Sequence, residues 1–350
     1  MSLELEIYPD KIRHNTQLIA HLLAPTGASF IGVTKACCGA PEVGAAMLAG
    51  GAAGLGDSRL ANIQRLRRAG LETTFFLLRS TLPSQIDETI EYVDISLETH
   101  PRVIEALARR AHALGKVHQI ILMVDVGDFR EGLWPAEVPV VVERIKDLPG
   151  INLVGLGTNL ACFEGVLPNE NNMALLLDLV HFIREHHHLE LPIISGGNSS
   201  SLPTIMAGNW FPEVNHLRMG ESILLGKDIV YDTPLPGAYL DAFILQGEII
   251  EIHAKAPGPS LPEGEVRLRA VLALGVQDIG AGKLQPLLPG TEYLGATSDH
   301  CLVDITHCPQ SLQVGDQIPF LPDYKGLLGA MTSPYVGKVI KNWSLNQLSP

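Results

Sequence analysis

The sequence has few aromatic residues and no long apolar run, and each shortage excludes a class of protein. Aromatic residues make up 5% of the 350 residues, which leaves little surface on which nucleic-acid bases could stack. No apolar run approaches the roughly 20 residues of a membrane span, and the run 120–124 has the length of a strand. The start, MSLELE, carries charge too early for a secretory signal. We therefore expect neither a nucleic-acid partner nor a membrane protein.

Basic charge and paired cysteines are also scarce. The chain has 25 Lys and Arg against 38 Asp and Glu residues, for a net charge of −13, whereas a nucleic-acid or anionic-membrane partner needs a basic surface. The five cysteines are odd in number and form no CxxC pair, which argues against a disulfide framework and favours the cytoplasm. Hydrophobic residues, at 46%, suffice for a large core. These counts indicate a cytoplasmic protein that acts on small molecules.

Short apolar segments alternate with amphipathic segments of helix length as far as about residue 220. Eight of the apolar segments have strand length: 30–35, 53–56, 73–77, 93–97, 119–124, 153–157, 191–195 and 214–217. Strands that alternate with helices in this way predict parallel βαβ units, and eight of them fit a closed (β/α)8 TIM barrel better than an open sheet. Pro41 and Pro101 stand where the first turn of a helix accepts proline, and Ser58 is a predicted N-cap.

The pattern changes after Tyr231, where a stretch with several prolines precedes strand-like runs with little helical period. These runs are 243–252, 266–274, 285–288, 301–305 and 335–340, separated by Gly and Pro turns. Such a pattern is typical of a mostly β domain. We therefore predict a barrel over 1–232 and a β-rich C-terminal domain over 233–350.

Candidate chemical groups follow the predicted barrel strands, at the end where such barrels place their catalytic side chains. Lys35 closes the first strand, and Arg130, Asn159 and Arg218 follow the fifth, sixth and eighth. The segment 195–201, SGGNSSS, leads into a predicted helix and is a possible anion cradle. Taken alone, Lys35 could be an ordinary surface lysine and the Gly/Ser segment an ordinary turn. Together, an amine, two arginines and a phosphate-binding loop match the needs of a phosphorylated aldehyde cofactor.

Six motifs follow one another along nearly the whole chain: VTKACCG, VDVGDFREG, GGNSS, RMGES, ATSDHCLVDIT and SPYVG. In this order they resemble the fold-type III pyridoxal 5'-phosphate (PLP) racemases of the alanine racemase family, most closely its alanine/ornithine racemase branch. The resemblance implies a PLP-dependent amino-acid racemase that works as a homodimer with shared active sites. It also implies that Lys35 forms the Schiff base with PLP and acts as the base on one face of the substrate α-carbon.

The resemblance further implies which residues hold the cofactor. Arg130 would lie near the phenolate of PLP, and Arg218 would face the pyridine nitrogen. Because arginine stays protonated, Arg218 could not accept a hydrogen bond and would keep that nitrogen neutral. Asn159 is a further cofactor-binding candidate from its place after a strand. The positions implied around the phosphate are Asn198, Ser199, Gly220, the backbone N–H of Glu221, and Tyr335.

The match fails at the group that should act on the second face of the substrate. The family supplies a tyrosine there, but the corresponding stretch, ALGVQDIG, has Val276 at that position. The candidates that replace it are Asp299, His300 and Cys301, and His300 is the first choice because histidine exchanges protons readily near neutral pH. Val276 also leaves room for a substrate longer than alanine, such as ornithine.

Two other functions stay open at this point. One is a fold-type III lyase, that is, a D-amino-acid aldolase, dehydratase or decarboxylase. The other is a non-catalytic PLP-binding protein, although those proteins are usually a barrel alone. The histidines 186–188 lack the spacing of a metal site, so we predict no metal.

Overall fold

The computed structural model describes residues 3–255 and 266–342, which form a closed parallel barrel and a second, mostly antiparallel sheet. The strands are β1 (Leu3–Ile7), β2 (Ser29–Val33), β3 (Leu55–Asp57), β4 (Phe75–Leu77), β5 (Ile95–Glu98), β6 (His118–Met123), β7 (Ile151–Gly157), β8 (Ile193–Asn198), β9 (His216–Met219), β10 (Lys227–Asp228), β11 (Thr233–Pro234), β12 (Phe243–Lys255), β13 (Arg267–Leu272), β14 (Leu284–Pro286), β15 (Glu292–Ala296), β16 (Cys301–Asp304), β17 (Gln317–Pro322) and β18 (Gly337–Ile340). The α-helices are α1 (Pro9–Leu23), α2 (Pro41–Ala49), α3 (Leu60–Arg68), α4 (Ile86–Tyr92), α5 (Pro101–Ala113), α6 (Val138–Ile145), α7 (Glu170–His187), α8 (Leu202–Met206), α9 (Glu221–Leu225), α10 (Val276–Ile279) and α11 (Tyr324–Thr332).

The barrel consists of β2 to β9 in chain order, and β9 closes it by pairing in parallel with β2. Each of the eight predicted strands overlaps one of these strands, so the predicted TIM barrel is confirmed. Strands of a parallel sheet are covered on both faces, which is why these segments read as nearly continuous apolar runs. The helices between them surround the barrel, and the carboxyl ends of all eight strands meet at one mouth.

Two of the three predicted helix starts are confirmed. Pro41 and Pro101 are the first residues of α2 and α5, where the missing N–H of proline has no partner to lose. Ser58 as an N-cap is wrong, because α3 begins after Arg59 and no side chain caps it. The Asp57 carboxylate instead accepts a hydrogen bond from the Arg59 N–H at 2.8 Å. The chain therefore turns into the helix one residue later than the serine suggested.

The second sheet contains eight strands, and one of them comes from the start of the chain. Strand β1 pairs antiparallel with β12 and parallel with β18, so it lies outside the barrel although the predicted first domain, 1–232, includes it. The remaining strands follow the order β14-β17-β12-β13-β16-β15, and this confirms the mostly β character of the C-terminal region. Strands β15 and β17 were not predicted, and the boundary at 232/233 stays a prediction.

The C-terminal region reaches the barrel mouth through α11. This helix packs against the short 3-10 turn Lys35–Cys37, which directly follows β2. Elements from both ends of the chain therefore build one surface around Lys35. Within the parts of the chain that the structure describes, no helix has the length and apolarity needed to cross a membrane.

Candidate active site

A cleft of about 700 Å³ opens at the carboxyl ends of the barrel strands. Its lining includes eight of the nine predicted cofactor-binding residues, namely Lys35, Arg130, Asn159, Asn198, Ser199, Arg218, Gly220 and Glu221. The structure thus gathers groups that lie nearly 190 residues apart in the sequence (35 to 221). A single cavity that collects an amine, two arginines and a Gly/Ser loop is the arrangement expected of a binding site.

Lys35 is held at the cleft by a hydrogen-bonded turn. The backbone N–H of Thr34 donates to Gly56 on the neighbouring strand at 2.9 Å, and the Thr34 hydroxyl donates to the Asp57 carboxylate at 2.8 Å. Asp57 also accepts from the Asn62 amide at 3.0 Å, while burial raises its pKa. The 3-10 turn that follows leaves the Lys35 side chain exposed to the cleft.

The loops after β8 and β9 meet at the Ser199 hydroxyl. Its Oγ accepts hydrogen bonds from the N–H groups of Gly220, at 3.3 Å, and Ser222, at 3.2 Å. The Asn198 side chain accepts from the Ser200 N–H at 2.8 Å and fixes the start of the same turn. A Cβ at Gly220 would lie 3.0 Å from the Cβ of Val33, so glycine lets β9 end close to β2. The result is a tight junction of small polar residues beside Lys35.

This junction fits a tetrahedral anion. The hydroxyl oxygens of Ser200 and Ser222 are buried and find no hydrogen-bond partner among the described residues. A buried polar group without a partner is costly, so such hydroxyls indicate an acceptor that belongs to a ligand. The phosphate of PLP has the oxygens that this set of hydroxyl and backbone donors requires. The residues present therefore fit the cofactor.

Arg218 lies at the buried floor of the cleft in a network with three other residues. Its Nη2 donates to the carbonyl of Thr158 at 2.6 Å, and its Nη1 donates to the Ser195 hydroxyl at 2.5 Å. The Ser195 hydroxyl lies 2.8 Å from Nδ1 of His216. Burial lowers the pKa of Arg218 to about 10 and, with help from the Arg218 charge, that of His216 to about 3. Arg218 is thus charged and His216 neutral at pH 7.

Arg130 lies across the mouth, on the loop after β6. Its guanidinium contacts the Glu131 carboxylate, and this hydrogen-bonded carboxylate raises the pKa of Arg130. The buried carboxylate of Asp128, on the same loop, accepts from the backbone N–H groups of Cys162 and Phe163 at 3.1 Å each. Asp128 therefore ties the loop after β6 to the loop after β7 and fixes one wall of the cleft.

The three candidates for the second acid/base group lie outside the cleft of their own chain. Asp299 and His300 contact each other at 3.2 Å, between Oδ1 and Nδ1, at the surface of the second sheet. Val276 lies beside them, since its N–H donates to Thr297 at 2.8 Å. Cys301 is fully buried in β16, and burial raises its pKa to about 12. Cys301 is therefore protonated near neutral pH and does not line the cleft of its own chain, and its role, like those of Asp299 and His300, stays a prediction.

Tyr335 is the one predicted cofactor residue that the structure does not bring to the cleft. It follows α11 and its side chain is 71% exposed. Tyr324, the first residue of the same helix, lines the cleft instead. Sequence reasoning missed Tyr324, although an aspartate that precedes an apolar stretch, as Asp323 does, is a typical helix start. Arg79 and Cys162 also line the cleft and were not predicted as site residues.

Among residues 3–255 and 266–342, no group of three or more His, Cys, Asp or Glu side chains is arranged to hold a metal ion. The histidines near residue 187 have other contacts. His187 pairs with Glu143 at 3.0 Å, and His186 contacts the backbone of its own helix.

Fold and cleft together define a class: a (β/α)8-barrel enzyme with a β-rich second domain and a site for a phosphorylated aldehyde cofactor. The family model "Alanine racemase, N-terminal domain" matches residues 7–228. The chain therefore belongs to the alanine racemase family. Members of this family depend on PLP, and the chain is a PLP-dependent amino-acid racemase, an isomerase.

Two curated relatives match over almost their full length. The lysine racemase of Thermotoga maritima is 34% identical over 345 residues, which is 94% of this chain and 96% of the relative. The ornithine racemase of Acetoanaerobium sticklandii is 36% identical over 346 residues, which is 94% of this chain and 97% of the relative. Among solved structures, alanine racemase from Corynebacterium glutamicum superposes with a TM-score of 0.77 at 19% identity, covering 97% of this chain and 100% of the other. That last likeness concerns the fold alone.

Proposed function

We propose that this racemase acts on a basic amino acid with an unbranched side chain, lysine or ornithine. The observation that carries the proposal is the similarity along nearly the whole chain to a lysine racemase and an ornithine racemase. One carboxylate in the cleft, that of Glu221, offers charge that a distal ammonium group could use, whereas the Glu131 carboxylate is already paired with Arg130. Val276, where the family has a tyrosine, is consistent with a substrate longer than alanine.

The cofactor assignments are part of the same proposal. Ser199 and the backbone N–H groups of Gly220 and Glu221 would hold the phosphate, with Asn198 fixing the turn. Arg130 would lie near the phenolate and Asn159 beside the ring. PLP, when bound, supplies an aldehyde for the amine and a ring that withdraws electrons from the substrate α-carbon. Lys35 would bind the aldehyde and would take or return the proton at the α-carbon on one face.

Arg218 would face the pyridine nitrogen of the cofactor. Its Nη1 and Nη2 are already held by Ser195 and Thr158, which fixes the plane of the guanidinium. A charged arginine offers only donors, so it would keep the ring nitrogen unprotonated. That state limits electron withdrawal and favours simple proton exchange at the α-carbon over competing reactions.

We also propose that two copies of the chain form a homodimer and that the β domain of each copy covers the cleft of the other. Exposed apolar side chains at the cleft mouth, Phe129, Trp134 and Phe163, support this arrangement, as does exposed Val276 in the β domain. Asp299 and His300 could reach a cleft only from such a second copy. The cytoplasmic location stays a prediction.

The test is incubation of the purified protein and PLP with L-lysine, L-ornithine and L-alanine, followed by chiral chromatography. We expect D-lysine or D-ornithine to form much faster than D-alanine. Borohydride reduction should attach PLP to the peptide that contains Lys35. Lys35→Ala should lose the attachment, whereas Lys227→Ala, which removes a lysine paired with Asp232, should keep it.

Three outcomes would contradict parts of this proposal. Faster turnover of alanine than of both basic amino acids would overturn the substrate assignment. Release of CO2 or formation of a keto acid in place of the D-enantiomer would favour a lyase. Retention of covalent PLP by Lys35→Ala would overturn the assignment of the amine.

A further inference from the structure

A substrate amino acid brings an α-carboxylate into the cleft, beside the carbon whose proton moves. Lysine and ornithine also have two amino groups, and only the α-amino group places that carbon at the cofactor. A cation that binds the carboxylate would therefore decide which end of the substrate reacts. Among the described residues, four cationic side chains line the cleft: Lys35, Arg79, Arg130 and Arg218.

Three of these four cations have other partners or roles. Lys35 would bind the cofactor aldehyde. Arg130 uses both Nε and Nη2 to contact the Glu131 carboxylate, so its charge is balanced within its own loop. Arg218 lies at the buried floor, where its two Nη atoms donate to groups of the barrel, and it would face the ring nitrogen.

Arg79 is the fourth cation, and its guanidinium is available to a ligand. Its side chain is exposed and lines the cleft. It forms no hydrogen bond or ion pair with any residue within 3–255 and 266–342, the parts of the chain that the structure describes. A guanidinium has five N–H donors in a planar fork that matches the two oxygens of a carboxylate. All the donors of Arg79 can therefore serve a bound anion.

The loop that carries Arg79 is fixed on both sides. Before it, the Leu78 N–H donates to the carbonyl of Asp57 on β3 at 2.9 Å. After it, the Thr81 hydroxyl donates to the carboxylate of Glu98, at the end of β5, at 2.6 Å, and the Thr81 N–H donates to the same carboxylate at 3.2 Å. Thr81 and Glu98 are both buried. The backbone around Arg79 is therefore held in place, as a group that positions a ligand requires.

Arg79 lies on the side of the barrel opposite to the proposed phosphate site. In the closed ring of eight strands, β4 is four positions from β8, whose loop forms part of the phosphate junction, and two positions from β2, which precedes Lys35. A cofactor with its phosphate at that junction and its aldehyde at Lys35 leaves the side of the cleft after β3 and β4 for the substrate. Ser58, Leu78 and Ser80 line this side together with Arg79.

The charges at the two sides of the cleft suit the two ends of a basic amino acid. Arg79 attracts a carboxylate and repels an ammonium group, whereas Glu221 attracts an ammonium group. Arg79 follows β4 and Glu221 follows β9, three positions away in the ring. A lysine or ornithine molecule bound with its carboxylate at Arg79 would therefore keep its distal ammonium group away from that arginine.

We propose that Arg79 binds the α-carboxylate of the substrate and so selects the amino group that reaches the cofactor. The guanidinium would donate two parallel hydrogen bonds to the two carboxylate oxygens. Arg79 exchanges no proton and is a binding residue. The inference rests on the proposed function and deepens it, because it names the group that recognises the amino-acid end of the substrate.

The first test compares the kinetics of Arg79→Ala, Arg79→Lys and the control Arg109→Ala, which removes an exposed arginine of α5 outside the cleft. Arg79→Ala should raise KM for L-lysine and L-ornithine about 10- to 100-fold, as expected for loss of a contact between charged groups. The turnover number kcat should change much less, because the contact is made before the proton moves. Arg79→Lys, which keeps the charge without the fork, should lie between Arg79→Ala and wild type. Arg109→Ala should behave as wild type.

The second test measures binding without turnover. Isothermal titration calorimetry of the PLP-loaded proteins would compare racemic lysine with 1,5-diaminopentane, which is lysine without its carboxylate. Wild type should bind lysine at least about tenfold more tightly than the diamine, and Arg79→Ala should bind the two equally. A KM of Arg79→Ala within about threefold of wild type would overturn the proposal. So would a preference for lysine that persists in Arg79→Ala and is lost in Arg130→Ala, since Arg130 would then bind the carboxylate.

Two measurements separate other roles of Arg79. Arg79→Ala should leave the Kd for PLP, from absorbance titration, and the urea midpoint of the apo protein unchanged. A loss of PLP affinity of about tenfold would place Arg79 at the cofactor and overturn the proposal. A weaker dimer in sedimentation velocity with an unchanged KM would place Arg79 at the subunit interface and also overturn it.

The proposal can fail separately from the substrate assignment. If wild type racemises alanine and neither basic amino acid, the assignment of lysine or ornithine is wrong. Because every amino acid has the α-carboxylate, the comparison of racemic alanine with ethylamine in wild type and Arg79→Ala would still test Arg79.

Discussion

The hydroxyl of Ser195 accepts a hydrogen bond from Nη1 of Arg218 at 2.5 Å, in a part of the cleft floor that water does not reach. Because the guanidinium can only donate, the Ser195 O–H is free to donate to Nδ1 of His216, 2.8 Å away. The neutral imidazole and the charged guanidinium are thus linked by one serine. This link fixes the direction in which Arg218 can point and leaves its charge available to the cofactor ring.

Ser195→Ala should lower both the free energy of unfolding and the affinity for PLP. The substitution leaves a buried guanidinium N–H and a buried imidazole nitrogen without their partner, which costs about 1–3 kcal/mol in the free energy of unfolding. We expect about a tenfold loss of PLP affinity, measured by absorbance titration. Ser96→Ala is the matched control, since it removes a buried hydroxyl that also contacts a buried imidazole, at 2.9 Å from Nε2 of His118, in a pair that does not include Arg218. Equal losses of PLP affinity in the two variants would contradict the role given to Ser195.

Tyr324, and not Tyr335, should contribute to cofactor binding. Tyr324 lines the cleft near Glu221, and burial raises its pKa beyond the usual range, so its hydroxyl stays protonated and can only serve as a neutral hydrogen-bond group. Tyr324→Phe should raise the Kd for PLP about five- to tenfold, in line with the loss of one hydrogen bond. Tyr335→Phe, at an exposed position of the same segment, should leave the Kd unchanged. If Tyr335→Phe raised the Kd for PLP and Tyr324→Phe did not, the sequence-based assignment of Tyr335 to the cofactor site would be supported instead.

Glu221 should make the apo protein less stable as the pH rises. Burial is the main reason why its pKa rises from 4.5 to about 7. Below pH 4.5 the Glu221 carboxyl is protonated in both the folded and the unfolded chain and does not change the free energy of unfolding. Between pH 4.5 and 7 the folded state holds the proton more tightly than the unfolded chain, so ionisation lowers stability, by up to roughly 3 kcal/mol above pH 7.

Glu221→Gln should remove this dependence. The variant should gain stability relative to wild type between pH 5 and pH 8, as measured by urea denaturation of the apo proteins at each pH. Other buried carboxylates, such as Glu98 with a pKa raised to about 7, titrate in the same direction in both proteins. The difference in the free energy of unfolding between the two proteins therefore reports on Glu221. If that difference does not vary with pH, the raised pKa of Glu221 is contradicted.

The barrel and most of its site could be predicted because each part has a local signal. A buried parallel strand is a short apolar run, and the groups that follow it must gather at one mouth; Lys35 and Arg218 follow from that rule alone. The place of strand β1 in the second sheet has no such signal, because it depends on pairing with β12, far along the chain. The prediction that Ser58 caps a helix was wrong because the neighbouring Asp57 carboxylate binds the Arg59 N–H and decides where α3 begins.

The cleft residues that were missed depend on contacts between distant elements. Tyr324 enters the cleft because α11 packs on the Lys35 turn, and no pattern within α11 carries that information. Cys162 faces the cleft because Asp128, on another loop, holds its backbone. In the sequence, Cys162 is one of five cysteines, and its place in the same cleft as Lys35 follows only from the closure of the barrel.

The proposed dimer can be tested at the aromatic side chains around the cleft mouth. Phe163 follows Cys162, its backbone N–H is held by Asp128, and its side chain is 69% exposed. A large apolar side chain presented this way by a fixed loop is typical of an interface. Phe163→Asp would bury a charge in that interface, and we expect it to raise the dimer dissociation constant at least tenfold in sedimentation velocity.

Val117→Asp is the matched control for Phe163→Asp. Val117 is 67% exposed but lies just before β6, at the opposite end of the barrel from the cleft. It should leave association unchanged. If the cleft is completed by the second copy, Phe163→Asp should also lose racemase activity on dilution, and activity should return as the protein concentration rises. A variant that stays dimeric, or that becomes monomeric with full activity at every concentration, would show that the partner does not cover the cleft.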